Sequence, residues 1–507
     1  MLLMGIDIGT TGCKVALFDD SGTLLYQTFR ECTVLIPQAG WAEQDLDTVW
    51  RMVKDAIREI IAKAGEDPVC GEEIHAVGFS VQGEAVVPVD ISGNPLRNAI
   101  LGMDTRTAAQ NAQLCEVFGA RSLFEMTGMP VHTINTLPKL LWLKDNERHI
   151  WRSADKFLLY EDYFIGKMTG KPFISRCLAS RTQLYDTKAR TWSGSILDFL
   201  DLQPTKLAEI TPSGSPVGHM HSSLAAALGF STPPLIVTGG HDQACGALGV
   251  GLTEPGHAMV STGSAEVVEV VSQEPFLNTS LYEGNMSVYA HTLPDRYLTM
   301  TLNHSGGLLL RWFRDTFGQL EIQQAAHEGK DAYQKLLENA GVEPSGLFVL
   351  PHFSGSGTPT FDAASKGAIL GLTFATTKAD LAKAILEGLT YELQINIEVL
   401  KNGGVQIDEL RAIGGGARSP LWLQLKADIT GLPVVVPRVT EAACWGAALL
   451  AGYAAGRYPS IEGAAQHAVA FNQRYVPDSE RSERYAALFS LYRNVYPAVK
   501  DIHHQLV

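Results

Sequence analysis

The chain has 507 residues, of which 46% are hydrophobic and 19% are charged, and its formal net charge is −14. This composition suits a folded protein with sizeable cores and excludes a disordered chain or a coiled coil. The negative charge disfavours non-specific binding to nucleic acid or to an anionic membrane, so we expect neither as a partner.

Seven cysteines are scattered along the chain, with no Cys-x-x-Cys pair and no regular Cys/His spacing. This pattern predicts neither a disulfide framework nor a zinc site, and it favours buried, reduced thiols. The N-terminal apolar run is too short for a signal peptide, and no stretch approaches the ~20 apolar residues of a membrane helix. We therefore expect a cytoplasmic protein.

The first predicted elements form an antiparallel meander, because short apolar runs alternate with tight turns. The predicted strands of this meander are residues 2–8, 14–19 and 23–30. Farther along, we predict a helix over about 45–64, strands over 74–80, 85–89 and 234–238, and a mostly helical region over 107–200.

The opening pattern returns after residue 250. Strands predicted at 257–262 and 265–271 flank a second glycine turn, about half the chain after the first. Further strands are predicted at 287–291, 296–302 and 409–413, and helices at 305–317, 378–401 and 419–430. The recurrence suggests an internal duplication, although turns of this kind are common and the two turns alone leave coincidence open.

The first glycine turn carries groups that suit a phosphate. A strand ends near Asp7, the turn Gly9-Thr10-Thr11-Gly12 follows, and Lys14 lies just beyond it. Small residues let backbone N–H groups approach phosphate oxygens, the threonines and the lysine can donate hydrogen bonds, and Asp7 can hold Mg²⁺. The alternative is an ordinary hairpin with an aspartate at a strand end.

A second turn, Ser261-Thr262-Gly263-Ser264, offers the same small and hydroxylated residues without the acid. Two such turns that face each other would hold a polyphosphate from both sides. That arrangement serves phosphoryl transfer, in which positioning and charge neutralisation do most of the catalysis.

Asp242 is the candidate general base. It follows the predicted strand 234–238 and two glycines, and a carboxylate at a strand end is well placed to accept a proton from a substrate hydroxyl. Asp242 could instead cap the helical segment 243–250, and the two roles are compatible. The sequence assigns no role to its neighbour His241, which could be a packed loop histidine.

Four polar residues, Gln82, Glu84, Asp104 and Arg106, follow strands or lie in a polar segment and could bind hydroxyl groups. Each could equally lie in a surface loop.

The segment 414–419 has three glycines before a helix, whose N-terminus favours negative charge. Ser419 followed by Pro420 is also an ordinary helix start, so the segment alone supports a nucleotide site only weakly.

Seven segments, in order and spacing, resemble the FGGY family of carbohydrate kinases over essentially the whole chain. These segments are Gly5–Thr11, Gly40–Asp45, Leu137–Leu143, Gly239–Gly251, Ser261–Ser264, Gly306–Asp315 and Gly414–Ser419. Seven matches in the right order set aside a chance recurrence of the turns.

The resemblance implies an α/β fold of two actin-like (ribonuclease H-like) ATPase domains with ATP in the cleft between them. We place the domains at 1–250 and 251–507. The first would carry the sugar site, the first phosphate loop and the base Asp242, and the second would carry the second phosphate loop and the adenosine site. Domain closure would exclude water from the reaction.

The resemblance also implies the ligand-binding positions, with ATP and Mg²⁺ as cofactors and Asp7 as the Mg²⁺ residue, partly through water. The implied ATP-binding residues are Thr10, Thr11, Lys14, Thr262, Gly263, Gly307, Arg311, Gly415, Gly416 and Ser419. The implied sugar-binding residues are Gln82, Gly83, Glu84, Asp104, Asp242 and Gln243.

The substrate positions narrow the choice of sugar. Glycerol kinases carry an arginine where Gly83 stands and a tyrosine where Ile134 stands, which argues against glycerol. Xylulokinases carry Gln-Met-His-Gly where this chain has Gln-Gly-Glu-Ala at 82–85, yet they are the most similar in overall pattern. We therefore expect conversion of D-xylulose to D-xylulose 5-phosphate, with another ketose, a polyol or gluconate as the alternative. A buried Glu84 would repel a carboxylate, which ranks gluconate below neutral sugars.

Two other classes of protein remain as alternatives: an actin-like ATPase without a sugar substrate and a sugar sensor that has lost catalysis. The polar residues at 82–84 and 104 and the presence of Asp242 favour an enzyme. The expected partner is a small sugar or polyol, and the sequence leaves open whether the chain forms a homodimer.

Overall fold

The computed structural model describes residues 1–66, 73–439 and 441–506. Each half of the chain builds one large mixed β-sheet with helices on its faces. Smaller two-stranded sheets and helical insertions complete each half.

The first half runs from β1 to α10. Its strands are β1 (Leu2–Ile8), β2 (Gly12–Phe18), β3 (Leu24–Glu31), β4 (Glu43–Gln44), β5 (Ile74–Val81), β6 (Val87–Val89), β7 (Ala99–Ile100), β8 (Lys156–Leu158), β9 (Phe173–Ser175), β10 (Tyr185–Asp186), β11 (Thr191–Trp192), β12 (Glu209–Thr211), β13 (Pro216–His219) and β14 (Leu235–His241). Its helices are α1 (Leu46–Glu66), α2 (Ala108–Phe118), α3 (Ala120–Thr127), α4 (Thr136–Asn146), α5 (Arg148–Ser153), α6 (Tyr160–Thr169), α7 (Arg176–Ser180), α8 (Gly194–Leu200), α9 (Ser222–Leu228) and α10 (Asp242–Gly249).

The second half runs from β15 to α20. Its strands are β15 (Gly256–Thr262), β16 (Glu266–Ser272), β17 (Ser287–Ala290), β18 (Tyr297–Asn303), β19 (Phe348–Leu350), β20 (Ala368–Leu370), β21 (Ile407–Gly414), β22 (Val434–Pro437) and β23 (Phe471–Tyr475). Its helices are α11 (Thr279–Glu283), α12 (Gly307–Phe317), α13 (Gln319–Glu328), α14 (Ala332–Leu337), α15 (Lys378–Asn402), α16 (Pro420–Thr430), α17 (Ala442–Ala454), α18 (Ile461–Ala468), α19 (Ser479–Tyr492) and α20 (Val495–Gln505).

The first sheet has the strand order β13-β14-β5-β1-β2-β3. Strands β1, β2 and β3 form the predicted antiparallel meander, and β5 and β14 lie parallel to β1. The register pairs Asp7 with Ser80 and Ser80 with Gly240. The carboxyl ends of β1, β5 and β14 therefore meet at one edge of the sheet, just before the first glycine turn, the 82–84 loop and Asp242.

The second sheet has the order β17-β18-β16-β15-β21-β22-β23. Apart from the extra edge strand β17, it repeats the first sheet strand for strand and with the same directions: β15 corresponds to β1, β16 to β2, β18 to β3, β21 to β5, β22 to β14 and β23 to β13. The shared topology confirms the duplication that the two glycine turns suggested.

Helix α17 comes from the second half but covers the first sheet. A Cβ added at Gly5 on β1 would lie 1.9 Å from the carbonyl oxygen of Cys444, and one at Gly78 on β5 would lie 2.1 Å from that of Ala447. The backbones of helix and sheet are thus in contact, which only glycine permits. Trp445 of the same helix packs on Phe18, with ring centroids 5.0 Å apart.

Helix α10 makes the reciprocal crossing from the first half to the second sheet. Its apolar residues share a buried cluster with β15, β16 and β18, namely Ala244, Ala247, Val250, Met259, Val271 and Leu298. The two helices also touch each other, because a Cβ at Gly446 would lie 1.9 Å from Cys245 O. The proposed boundary at 250/251 falls just after α10, and each sheet is covered partly by a helix of the other half.

Three details differ from the sequence-based expectations or complete them. The strand expected at 85–89 covers only Val87–Val89, and the region 107–200 contains four short strands among its helices. The six cysteines that the structure describes are free thiols, and Cys70 lies outside the described residues. Within the described part of the chain, none of the helices combines the length and the apolar character needed to cross a bilayer.

Candidate active site

Asp242 stands where β14 passes into α10. His241 occupies the N-cap position and Asp242 is the first residue of the helix, so the expected cap is one residue away from its predicted place. Oδ1 of Asp242 accepts the N–H of Gln243 at 2.6 Å, and the side chain is 29% exposed. Burial, and then the charge of Asp7, raise the pKa of Asp242 to about 7. A carboxyl group with this pKa suits general-base catalysis near neutral pH.

The end of β14 is held by a buried carboxyl group on α6. Glu161 accepts the N–H of Gly239 at 2.6 Å through Oε1, and its Oε2 accepts the N–H and the hydroxyl of Ser175 at 2.8 and 2.7 Å. Burial raises the pKa of Glu161 to about 7. Glu161 therefore fixes the strand end that delivers Asp242.

Asp7 lies in the same region, near the end of β1. Its Oδ1 accepts the hydroxyl of Ser80 at 2.6 Å, and no described residue donates a hydrogen bond to Oδ2. Burial is the main cause that raises the pKa of Asp7 above its ordinary value. The turn after it closes through Gly9 N–H and Gly12 O at 2.9 Å, and Thr10 donates its hydroxyl to Gln82 at 2.9 Å.

Lys14 pairs with a carboxylate from the other half of the chain. Its Nζ contacts Glu441, which directly precedes α17. The Lys14 side chain is 29% exposed, and Thr11 in the same turn is exposed. A phosphate at this turn would therefore meet an ammonium group that already has one acidic partner.

The 82–84 loop is buried and tied to its surroundings. Gln82 accepts the Thr10 hydroxyl and donates to Gln44 at 3.3 Å. Glu84 has a positive φ of 59°, which is uncommon for a residue with a Cβ. Its carboxylate forms a buried ion pair with Arg181, whose Nε donates to Oε1 at 2.7 Å.

Arg181 bears on one sequence-based argument. We expected a buried Glu84 to repel a carboxylate substrate; the guanidinium of Arg181 compensates the charge of Glu84, and the ranking of gluconate below neutral sugars stays a prediction. Arg181 follows the short helix α7, and nothing in the neighbouring sequence marks it as a partner of Glu84. The sequence does mark another buried acid. On β16, Glu269 interrupts a run of valines, and a carboxyl group in such a run needs a buried polar partner.

Lys139 of α4 holds the backbone of the same loop. Its Nζ donates to the carbonyl oxygens of Glu84 and Ile134 at 3.0 and 2.5 Å, and Thr136 also donates to Glu84 O at 3.1 Å. Burial lowers the pKa of Lys139 to about 7. These hydrogen bonds from α4 therefore fix the backbone conformation at Glu84.

Asp104 lies close to this loop but its carboxylate is occupied. It accepts the N–H of Ala42 at 2.6 Å and two side-chain nitrogens of Arg106 at 2.7 to 3.0 Å, and Arg106 lies over the Trp41 ring at 3.7 Å. Both charged side chains are buried. Direct sugar binding by Asp104 stays a prediction, and these contacts favour a supporting role.

Gln243 offers a free acceptor beside Asp242. Its Oε1 is buried and has no hydrogen-bond partner among the described residues. A buried acceptor without a partner costs free energy, and a ligand hydroxyl would satisfy it.

The second glycine turn gathers the other predicted nucleotide positions. Gly307 donates its N–H to Gly263 O at 2.8 Å, so the start of α12 lies on this turn. A Cβ at Gly414 would lie 2.5 Å from Thr262 O, and one at Gly416 would lie 2.7 Å from Thr262 Cβ. Three segments distant in sequence therefore meet at one place in the second half, and close backbone approach explains the glycines.

The side chains at this turn have assigned partners. Thr262 is buried and donates its hydroxyl to Glu266 at 2.7 Å, and Glu266 pairs with buried Lys426. Ser419 caps α16 by accepting the N–H of Trp422 at 3.3 Å, as expected from its position before Pro420. Arg311 is exposed on α12. A phosphate at this turn would meet backbone N–H groups in place of the Thr262 hydroxyl.

The residues present fit Mg²⁺ held largely by phosphate and water. Among the residues that the structure describes, no three His, Cys, Asp or Glu side chains gather as a protein metal cage would require. Mg²⁺ is commonly held by one or two carboxylates, substrate phosphates and water. Asp7, whose Oδ2 accepts no hydrogen bond from a described residue, is the carboxylate that suits this role.

Comparisons with known proteins agree with this architecture. The models of the FGGY family of carbohydrate kinases match the chain, the N-terminal domain over residues 2–249 and the C-terminal domain over 258–455. A xylulose kinase of Staphylococcus epidermidis is 30% identical over 100% of this chain and 98% of its own length. A gluconokinase of Bacillus licheniformis is 26% identical over 99% of this chain and 97% of its own.

A solved structure shows the same fold. The crystal structure described as "a xyloylose kinase from Brucella ovis" superposes with a TM-score of 0.88 at 27% identity, covering 99% of this chain and 100% of that one. The two-domain α/β architecture with actin-like ATPase domains that the sequence predicted is thereby confirmed.

Proposed function

Because the chain belongs to the FGGY family of carbohydrate kinases, we propose that it transfers the γ-phosphoryl group of ATP to the terminal hydroxyl of D-xylulose. The product is D-xylulose 5-phosphate. Full-length similarity to a xylulose kinase supports this choice of sugar. Since ATP is the donor, we place the enzyme in the cytoplasm.

The observation that carries the proposal is the combination of the contacts and the raised pKa of Asp242. Both fixed contacts of its carboxylate fall on Oδ1, from Gln243 N and from His241 Nε2, and no described residue donates to Oδ2. Oδ2 is therefore the oxygen that takes the proton from the acceptor hydroxyl. With a pKa of about 7, Asp242 is substantially ionised at neutral pH and still basic enough to accept that proton.

The two glycine turns hold the phosphates in this proposal. The backbone N–H groups around Thr10, Thr11 and Gly263 donate to phosphate oxygens, and Lys14 adds a positive charge shared with Glu441. Mg²⁺, when bound, neutralises phosphate charge, and Asp7 is the residue that would hold it. On the adenosine side we propose Gly307, Arg311, Gly415, Gly416 and Ser419, of which Gly307 and Gly416 lie against the second turn.

The sugar lies against the 82–84 loop in this proposal. Gln243 Oε1 and the Glu84 carboxylate accept sugar hydroxyls, because the first has no hydrogen-bond partner among the described residues and the second is held in place by Arg181. Gln82 is bound to Thr10 and Gln44, so it orders the loop between the sugar and the first phosphate turn.

Gluconate is the second candidate acceptor. Arg181 compensates Glu84, so the pocket does not carry the uncompensated negative charge that would exclude a carboxylate. A gluconokinase is also among the full-length relatives.

A substrate panel tests the assignment. ADP release from MgATP should be measured with D-xylulose, gluconate, glycerol, other ketoses and polyols, and without sugar. We expect the highest kcat/KM with D-xylulose. A higher kcat/KM with gluconate would make gluconate the substrate in place of D-xylulose. ADP release that does not depend on any sugar would point to an ATPase of another class.

Substitution of the base tests the mechanism. We expect Asp242→Asn to lower kcat by about 10³-fold or more with the fold intact, because the neutral amide cannot accept the proton. Asp198→Asn on the exposed face of α8 is the matched control and should keep normal turnover. Near-normal turnover of Asp242→Asn would refute the base assignment.

A further inference from the structure

Arg181 carries the ion pair of the 82–84 loop, and its other side-chain contacts lie in the second half of the chain. Its side chain is 1% exposed, and its Nε donates to Glu84 Oε1 at 2.7 Å. The guanidinium carbon lies over the ring of Tyr289 on β17, 4.6 Å from the centroid, and Nη1 donates to Met300 Sδ on β18 at 3.9 Å. A residue of the first half is therefore held between the sugar loop and the second sheet.

Tyr289 is itself fixed at both ends. Its side chain is fully buried, and its hydroxyl donates to Oε1 of the buried Glu269 on β16 at 2.8 Å. The backbone of β17 is bound to the segment before Arg181, because Ser180 Oγ accepts the N–H of Ala290 at 2.9 Å. The ring therefore offers the guanidinium a face whose position is set by the second sheet.

The contacts between Arg181 and Glu84 fall on one carboxylate oxygen. Nε and Nη2 both meet Oε1, and no described residue donates to Oε2. A Cβ added at Gly102 would lie 3.7 Å from Oε2, so this oxygen lies beside a residue that has no side chain. Oε2 is therefore the oxygen of Glu84 that a ligand hydroxyl can meet.

We propose that Tyr289 is a positioning residue for the sugar site: its ring face holds the Arg181 guanidinium, so that Glu84 is bound through Oε1 and keeps Oε2 for a hydroxyl of the acceptor. A planar guanidinium that lies on an aromatic face keeps its orientation, whereas one without that face could tilt and take both carboxylate oxygens in the usual fork. The inference rests on the proposed function, because it requires Glu84 to bind the acceptor. Since Tyr289 belongs to the second sheet, acceptor binding in the first half depends on a residue of the other half.

Two substitutions at 289 separate the ring from its hydroxyl. Tyr289→Phe keeps the ring but leaves Glu269 Oε1 without its donor, so we expect lower stability and an acceptor KM within twofold of the natural value. Tyr289→Met keeps similar bulk without an aromatic face, and we expect the acceptor KM to rise about tenfold with KM for MgATP unchanged.

Steady-state kinetics with the acceptor that the substrate panel ranks first measures both KM values. A loss of stability alone would affect the two variants without separating their acceptor KM values. An acceptor KM for Tyr289→Met within twofold of the natural value, or an equal rise in both variants, would overturn the proposal.

Arg181→Lys tests the same link from its other partner. Lysine keeps the positive charge opposite Glu84 but lacks the planar fork, so we expect the acceptor KM to rise about tenfold here as well. An unchanged acceptor KM would contradict the proposal, and this variant keeps the test decisive if Tyr289→Met does not fold.

Nitrogen-15 NMR of the arginine-labelled full chain follows the guanidinium without relying on turnover. Arg181→Lys identifies the Nε–H signal of Arg181 by its loss. We expect this proton to exchange slowly with solvent in the natural protein and in Tyr289→Phe, and faster in Tyr289→Met. Equal exchange in Tyr289→Phe and Tyr289→Met would overturn the proposal even if no sugar is phosphorylated. The expected exchange rates in an enzyme that phosphorylates no acceptor would instead count against the proposed function and not against the positioning of Glu84.

Discussion

At the scale of single residues, burial and the available partners determine which ionisable side chains are charged in the interior. Glu84 and Glu266 keep compensating partners, Arg181 and Lys426, so their charges are balanced. Lys139 instead donates to two backbone carbonyl oxygens, and burial lowers its pKa to about 7. The same side chain that orders the Glu84 loop is therefore neutral over part of the alkaline range.

The depressed pKa of Lys139 predicts how stability changes with pH. Between about 7 and the ordinary value of 10.5, the unfolded chain binds this proton and the folded chain does not, so stability rises with pH. Relative to Lys139→Met, the unfolding free energy of the natural protein should rise by roughly 1 kcal/mol per pH unit from pH 7 to 9. Urea unfolding at three pH values measures this.

Lys144→Met, on the same helix but with a partly exposed side chain, is the matched control for the loss of a lysine from this helix. If the difference in unfolding free energy between Lys139→Met and the natural protein does not change with pH, the buried lysine keeps its proton in the folded protein.

At the scale of elements, glycines let helices and strands touch at the junction of the two halves. α17 lies on β1 at Gly5 and on α10 at Gly446, in each case with backbone against backbone. A side chain at either position would force whole elements apart, because the obstructing atoms belong to the main chain and have no rotamer to adopt. These contacts fix the start of α10, which carries Asp242.

Gly446→Ala tests this contact. The added Cβ would lie 1.9 Å from Cys245 O, so we expect a loss of unfolding free energy of about 3 kcal/mol or more. Gly65→Ala is the matched control, since Gly65 also lies in a helix and an added Cβ would meet no described atom outside that helix within 4 Å; we expect a gain of up to about 1 kcal/mol from helix propensity. Chemical denaturation measures the unfolding free energy of both variants. Equal values would show that α17 and α10 can move apart at little cost.

At the scale of the whole molecule, two copies of one sheet topology are interlocked by exchanged helices. α17 completes the core of the first sheet with Trp445 and Leu449, and α10 completes that of the second with Ala247. Neither half buries its sheet alone. The two glycine turns and Asp242 therefore sit on elements that fold together.

The exchange predicts that the halves unfold together. We expect calorimetry of the full chain to show one transition, and Gly446→Ala to lower the temperature of that whole transition. Independent domains would instead give two transitions, with the substitution moving one of them. Two separable peaks would show that the exchanged helices do not couple the sheets.

The sequence by itself determined the elements and the repeat. The glycine turns near Asp7 and Gly263, the strand before Asp242 and the helix start at Ser419 all follow from local periodicity and turn chemistry, which depend on neighbours in the chain. Seven ordered segments were enough to identify the family and its two-domain fold.

Only the tertiary structure decided which polar and charged side chains became partners. Arg181 opposite Glu84, Glu441 opposite Lys14 and Tyr289 behind His241 are pairs separated by 48 to 427 residues in the chain. No local pattern encodes them, because a buried polar group is satisfied by whatever the fold brings beside it. The sequence thus supplied the candidate site residues, and the fold set their partners and orientation.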